Sequence, residues 1–249
     1  MSAPQVLFFG GNGHSTARLA PARAAAAAIG APFDLVDAAY PGFEGRPRAP
    51  SFEAFLDRVS AQIGETDLLY GTGIGGLILL CLRARGEHLS SPVLLQAPVL
   101  WGLERRLMPR MMRLGFAQLA LRRAFASPWF QGRFARKQFT RALSPEEHAA
   151  FFEGYTRCEA LPDFFAWMTP ALLRRLEVAI AGRPGCLDRI SVWWGERDRV
   201  VTPEELAITE QALGVKWSLR RFPTWGHYPM IDDPVGWAGA LAEAVEARR

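Results

Sequence analysis

The chain has 249 residues, of which 49% are hydrophobic and 22% charged, values typical of a folded globular protein. This length and composition exclude a disordered, collagen-like or coiled-coil chain and allow one large domain, or one domain with an insertion. The three cysteines are widely spaced and form neither a zinc-binding pattern nor a disulfide framework. We therefore expect no metal and a reducing compartment.

The formal net charge of +4 is unevenly distributed along the chain. Between Leu103 and Arg141, ten basic residues stand against one acidic residue, a local net charge of +9 that leaves −5 for the rest. A uniformly basic nucleic-acid binder would not show this pattern, so nucleic acid is not an expected partner. The sequence shows neither a secretory signal nor an apolar run of membrane-spanning length, which predicts a cytoplasmic location.

The first hundred residues alternate short apolar runs with helical patterns. Continuous apolar runs predict buried strands at residues 6–9, 33–36, 67–70 and 92–95. Between these strands, helices are predicted at residues 17–29, from the capping residue Ser51, and from the glycine-rich turn at 71–76 to about Gly86.

The second half of the chain begins with about 80 residues that carry no strand pattern. Residues 103–185 indicate helical pieces broken by prolines, and strands return at 190–194 and 215–222. Capping boxes begin helices at Ser144 and Thr202, and a last amphipathic helix starts near Pro234. Alternating strands and helices predict an α/β fold with a mostly parallel sheet covered on both faces. Residues 1–102 and 186–249 would form the core, and residues 103–185 a helical cap over the crevice at the carboxyl edge of the sheet.

A glycine-rich turn follows the third predicted strand. Residues 70–76, Tyr-Gly-Thr-Gly-Ile-Gly-Gly, place small residues on both sides of a central position, as a tight strand-to-helix elbow requires. This turn resembles the nucleophile elbow of the α/β-hydrolase superfamily, Gly-x-Ser-x-Gly, and the match places Gly73 where that family has its serine. With Thr72 as the nucleophile, Tyr70 and Ile74 would occupy flanking sites that do not tolerate bulk. We therefore reject that register and assign Thr72 to substrate binding.

Further segments resemble signatures of the same superfamily and follow each other in the family's order. They match the oxyanion loop, a Pro-Gly-x-Gly turn, the segment that bears the triad acid and the loop that bears the triad histidine. The segments are residues 9–14, 40–45, 194–203 and 225–229. The resemblance covers nearly the whole chain and implies an α/β-hydrolase-type fold with Asp198 as the acid and His227 as the base.

The resemblance implies a site that has its base but not its attacking atom. A histidine held in one tautomer by a carboxylate can take a proton, and two backbone N–H groups, here those of Gly11 and Ile74, can stabilise an oxyanion. Because Gly73 offers no hydroxyl, efficient acyl-enzyme catalysis is not expected. We also assign His14 and Trp225 to substrate binding, although His14 can equally cap the glycine loop.

Two functions follow from this interpretation. The first is an enzyme that acts on a small, largely apolar molecule with His227 and Asp198 as a proton-transfer pair, by water-mediated hydrolysis or a lyase-type reaction, without a cofactor. The alternative is a catalytically inactive pseudoenzyme that binds a ligand or partner through the pocket or the basic cap. Gly73 itself would be a decayed elbow, a substitution that traps a ligand, or a space for water or a substrate atom.

The basic cap segment also allows more than one interpretation. We favour an amphipathic lid with solvated arginines over two sharper alternatives. In one of these, an anionic substrate is held by one or two arginines. In the other, the cap lies on an anionic membrane surface or an acidic partner. The sequence leaves the identity of the substrate and the oligomeric state open.

Overall fold

The computed structural model describes residues 3–64, 68–98, 101–102, 110–111 and 114–248. Its centre is a single sheet of six strands, in which all five strand pairings are parallel. The strands are β1 (Gln5–Phe9), β2 (Asp34–Asp37), β3 (Leu68–Thr72), β4 (Val93–Gln96), β5 (Ile190–Gly195) and β6 (Ser218–Phe222). The predicted α/β class and parallel sheet are confirmed, while Asp67, the predicted first residue of β3, lies outside the described residues.

The strand order is β2-β1-β3-β4-β5-β6. The inner strands are buried almost throughout, because helices cover both faces of the sheet, whereas the edge strands β2 and β6 are largely half-buried or exposed. Neighbours of β1 on its two sides are β2 and β3, so the chain leaves β1 and β3 in opposite directions. The crevice between the carboxyl ends of β1 and β3 is therefore a topological switch point, where open α/β sheets bind ligands.

The helices begin and end at the signals that the sequence carries. Gly86 ends the helix after β3 in the left-handed conformation, with φ of +83°, and capping boxes are present at Ser144 and Thr202. A 3₁₀ turn at Thr16–Leu19 precedes the first helix. The helices are α1 (Ala20–Ala28), α2 (Phe52–Ser60), α3 (Ile74–Arg85), α4 (Gly115–Ala126), α5 (Pro128–Gln138), α6 (Pro145–Arg157), α7 (Leu161–Trp167), α8 (Pro170–Ala181), α9 (Pro203–Leu213), α10 (Pro229–Asp232) and α11 (Pro234–Glu246).

Between β4 and β5, the part of the chain that the structure describes forms helices α4 to α8 and no strand. The predicted start of the insertion at residue 103, together with Arg105, Arg106 and Arg113, lies outside the described residues. Helix α8 packs against α3, so the last helix of the segment 103–185 belongs to the layer that covers the sheet. Across the described ranges, no helix is long and apolar enough to cross a membrane.

Candidate active site

The turn between β3 and α3 is formed by Gly73 alone, because the strand ends at Thr72 and the helix begins at Ile74. Gly73 has φ of +54° and ψ of −119°, a backbone conformation that residues other than glycine rarely adopt. A Cβ at Gly75 would overlap the backbone of Phe9, so this flanking position requires glycine. At Gly73 a Cβ would meet only the Cα of Gly11, at 3.8 Å. The flank of the turn is therefore sterically closed, whereas its centre has room for a side chain.

His227 and Asp198 form a buried pair, as the sequence predicts. His227 Nδ1 lies 2.9 Å from Asp198 Oδ2, and the other carboxylate oxygen accepts hydrogen bonds from the amides of Val200 and Val201 at 2.7 and 2.9 Å. Burial opposes the charged form of Asp198, yet the neighbouring His227 and the two amides outweigh it and lower the pKa of this carboxyl below its ordinary value. The carboxylate is thus fixed and charged, and it orients the imidazole through Nδ1.

A cavity of about 300 Å³ lies beside this pair. The predicted residues Gly11, Thr72, Gly73, Ile74 and His227 all line it. Most of the remaining wall is apolar or aromatic, and helices α4 to α7 contribute a large part of it. These wall residues are Ala97, Phe125, Phe134, Phe165, Val200 and Val201. The structure therefore brings the base, the turn and the predicted oxyanion donors to one small, largely apolar space, as ligand sites typically require.

Two polar groups beside Gly73, the amide of Ile74 and the hydroxyl of Thr72, are free of partners in the surrounding secondary structure. Ile74 is the first residue of α3, so its N–H has no partner within the helix and lies at the positive end of the helix dipole. Gly11 follows β1 on the other side of the crevice, and a Cβ there would lie 3.4 Å from the carbonyl oxygen of Thr72. Thr72 Oγ1 is buried without a hydrogen-bond partner among the described residues. An oxygen bound beside Gly73 would find donors on this wall.

Two tyrosines at the cavity were not predicted as site residues. Tyr228 and Tyr155 both line it. The hydroxyl of Tyr228 lies 3.8 Å from the place that a Cβ of Gly11 would take. Burial, reinforced by Tyr228, raises the pKa of Tyr155 well above its ordinary value, so this phenol remains a neutral donor. Tyr228 directly follows His227 in the sequence, a signal that would have drawn attention to it, whereas nothing marks Tyr155.

A buried arginine, Arg18, connects the glycine loop after β1 to helix α6. The Arg18 guanidinium donates to the carbonyl of Asn12 at 2.8 Å and to that of Phe151 at 2.9 and 2.6 Å. Its central carbon lies 4.6 Å from the ring centre of Tyr155, within the range of a cation–π contact. Arg18 therefore holds the glycine loop after β1 against helix α6.

Two residues assigned to substrate binding lie elsewhere. His14 Nε2 is 2.9 Å from Asp37 Oδ1, and neither His14 nor Trp225 lines the cavity. The indole N–H of Trp225 donates to Asp233 at 3.2 Å, and its ring stacks on Phe222 with 3.5 Å between ring centres. Both side chains thus have structural partners outside the cavity lining, and their assignment to substrate binding stays a prediction.

The described residues hold no cluster of histidine, cysteine and acidic side chains suited to a metal ion. All three cysteines are buried and free. Burial raises the pKa of the Cys81 and Cys158 thiols to about 12, so both are protonated and unreactive at neutral pH.

Comparison with known proteins identifies the family and the fold of this chain. The model of the alpha/beta hydrolase family matches residues 6–240, whereas no curated protein sequence matches the chain. Solved structures share the fold at low identity. A mutant of DBJA is 20% identical with a TM-score of 0.73, and the match covers 99% of this chain and 91% of that chain. The haloalkane dehalogenase DbeA from Bradyrhizobium elkani USDA94 is 19% identical with a TM-score of 0.70, covering 99% and 91%. A membrane phospholipase A, described as a bacterial virulence factor, is 22% identical with a TM-score of 0.65, covering 99% and 79%.

Proposed function

Because this chain belongs to the alpha/beta hydrolase family, we propose that it is an enzyme in which His227 and Asp198 perform general acid–base catalysis without a serine nucleophile. The observation that carries the proposal is the buried pair at 2.9 Å beside a cavity that Gly73 also lines. Gly73 takes the place of the family's serine in this interpretation. The reacting proton then comes from water or from the substrate.

The hydrogen-bond network determines which nitrogen acts as the base. Asp198 accepts from Nδ1 of His227, which leaves Nε2 as the basic nitrogen. A water molecule bound beside Gly73 would donate to Nε2, and the imidazolium that forms on proton transfer is stabilised by the Asp198 carboxylate.

Hydrolysis of an ester illustrates the proposed steps. Water attacks the carbonyl carbon while His227 Nε2 takes its proton, and the carbonyl oxygen becomes an oxyanion near the amides of Gly11 and Ile74. Collapse of this intermediate breaks the bond to the alkoxide, which recovers the proton from Nε2. The products are an acid and an alcohol, and no acyl group is attached to the protein. Solved structures of the same fold are named as a dehalogenase and a phospholipase, which favours hydrolysis over other acid–base reactions.

The size and polarity of the cavity indicate the kind of substrate. About 300 Å³ is at the lower end of the range for ligand sites. Phenylalanine side chains of the cap form much of the wall, including Phe125, Phe134 and Phe165. The reacting part of the substrate is therefore proposed to be small and largely apolar.

A kinetic comparison tests this proposal. Wild-type protein is mixed with short-chain aryl esters, and product release is followed from the first turnover. We expect slow turnover without an initial burst, a rate reduced to background by His227→Gln, and ¹⁸O from labelled water in the acid product of a single turnover. His148→Gln, on α6 and outside the cavity lining, is the matched control and keeps the wild-type rate.

Two results would contradict the proposal. A stoichiometric burst of alcohol together with an acylated protein, detected by its mass, would reveal a protein nucleophile and exclude direct attack by water. Turnover that is equal in wild type and His227→Gln, with an ester-like ligand still bound in the cavity, would favour the pseudoenzyme.

A further inference from the structure

A second concave surface adjoins the cavity, and its character is different. This basic groove, of about 430 Å³, is lined by Arg133, Arg136, Lys137 and Arg199 together with Phe130 and Phe134. Phe134 and Lys137 also line the cavity that contains His227. The basic groove therefore borders the candidate active site.

The cationic groups of the basic groove are brought together by the fold. Arg133, Arg136 and Lys137 are three and four residues apart on α5, so they share one face of that helix. Arg199 comes from the loop after β5, directly after Asp198, and its Nη1 donates to the carbonyl oxygen of Arg136 at 3.3 Å. This bond fixes the fourth cation beside the end of α5 and links the groove to the loop that carries the catalytic acid.

Within the described ranges, no acidic side chain forms an ion pair with these four cations. Of the ion pairs formed among the described residues, none involves Arg133, Arg136, Lys137 or Arg199. All four side chains are exposed. Like charges in one groove repel each other, and a bound anion removes that repulsion while it gains charge-assisted hydrogen bonds.

Two other basic residues of the surface have acidic partners. Arg141, a few residues after α5, pairs with Glu147, and Arg48 pairs with Asp163. In the basic groove, by contrast, four cations without an ion pair among the described residues share one concave surface beside the cavity.

We propose that the basic groove binds the anionic group, a carboxylate or a phosphate, of a substrate whose apolar part enters the cavity. The proposal rests on the proposed function, since it names the class of molecule on which that site acts. Position favours a substrate group over a membrane surface, because the groove is concave and shares two side chains with the cavity. The substrate would therefore be amphiphilic, with its charge at the entrance and its reacting bond near His227.

Calorimetric binding of three probes with alkyl chains of similar length tests the proposal without requiring turnover. The probes are heptanoate, hexyl phosphate and 1-heptanol, and they are measured with wild type and with Arg133→Gln/Arg136→Gln/Lys137→Gln. We expect both anions to bind wild type more tightly than the alcohol. The triple variant should lose about tenfold in affinity for the anions, since exposed ion pairs contribute little individually, and should keep its affinity for the alcohol.

A matched control has the same kind of charge change elsewhere on the cap. Arg122→Gln/Arg123→Gln neutralises two exposed arginines of α4 that do not line the groove, and it should bind all three probes as wild type does. A salt titration of wild type needs no variant: sodium chloride should weaken binding of the two anions and leave the alcohol unaffected.

Several outcomes would overturn the proposal. Anion affinity that is unchanged in the triple variant, or lost equally in the control, removes the role of the groove. Inorganic phosphate that binds as tightly as hexyl phosphate identifies a site for a free anion. A third outcome is that phosphatidylserine vesicles bind wild type but not the triple variant, while both proteins bind heptanoate equally well. This result assigns the groove to a membrane surface. Each result concerns binding, so it is independent of whether His227-dependent turnover is found.

Discussion

Gly154 on α6 packs directly against the backbone carbonyl of Gly13, in the loop that carries Gly11. Arg18 also joins the same two elements, through the carbonyls of Asn12 and Phe151. Helix α6 and the loop after β1 are therefore held together by both contacts. Because Gly11 lines the cavity, the position of one wall of the site depends on the packing of α6.

Gly154→Ala tests this dependence. The added methyl group would overlap the Gly13 carbonyl, so α6 or the loop must move, and we expect a loss of about 1–3 kcal/mol in the free energy of unfolding. Urea unfolding measures the change. Gly239→Ala is the control, because a Cβ at this position in α11 meets no atom within 4 Å and alanine favours the helix over glycine. Equal stability of Gly154→Ala and wild type would show that the contact is not tight.

Gly73→Ser should introduce esterase activity. The centre of the turn has room for a Cβ, and the hydroxyl would lie in the cavity that His227 lines. We expect the rate with short-chain aryl esters to rise about a hundredfold or more over wild type, now with a burst of released alcohol. Rapid-mixing kinetics and the mass of the acylated protein provide the measurement.

The same substitution should reduce stability. Serine must adopt φ of +54°, which costs about 1–3 kcal/mol for a residue other than glycine. Gly73→Ala carries the same backbone cost without the hydroxyl, so it separates strain from chemistry. A folded Gly73→Ser protein without any gain in activity would mean that the base and the turn are not aligned for acyl transfer.

Asp198→Asn should reduce His227-dependent activity and alter the pH dependence of stability. In the folded protein the pKa of Asp198 lies below its ordinary value of 3.8. The charged carboxylate therefore stabilises the fold above that value, and this contribution is lost as the pH falls through the lower folded-state pKa. The free energy of unfolding of wild type should exceed that of the variant by about 1–3 kcal/mol at pH 7. This difference should become smaller below about pH 4. Urea unfolding at several pH values measures it, and a gap that widens in acid would contradict the assignment.

Tyr228→Phe should affect the reaction more than binding. Its hydroxyl is close to the Gly11 wall, so it can donate to charge that develops on the substrate. In the Gly73→Ser background we expect about a tenfold lower kcat with little change in KM. Tyr155→Phe, one step further from that wall, should have a smaller effect. A rise in KM alone would assign Tyr228 to substrate binding.

The sequence predicts the strands well because a buried parallel strand is a continuous apolar run. Each of the six strands forms close to its predicted place, with the largest difference at β6, which begins at Ser218 and not at residue 215. The residues before β6 still complete the end of α9. Val215 N donates to the carbonyl of Glu210, and Trp217 N to its side chain. The alternating apolar residues Val215 and Trp217 cannot by themselves separate such a helix end from a strand.

The candidate site was only partly accessible from the sequence. Asp198 and His227 lie in loops with recognisable motifs, and the structure brings them together. His14 also follows a motif, yet its partner Asp37 lies at the end of β2 and removes its imidazole from the cavity. Arg18 and Tyr155 meet only in the folded chain, 137 residues apart in sequence, and no local pattern marks such a pair.

The shared border between the basic groove and the cavity determines how a catalytic cycle would end. In the proposed reaction, a hydrolysed substrate that keeps its anionic group would leave past the border residues Phe134 and Lys137, and Lys137 would attract the product as it attracts the substrate. The cations of the groove would speed the arrival of the anionic substrate and delay the departure of the product. The delay arises because hydrolysis adds a carboxylate and so increases the negative charge of the product. Product release would then limit the maximal rate, and added salt would accelerate turnover at saturating substrate while it weakens capture at low substrate.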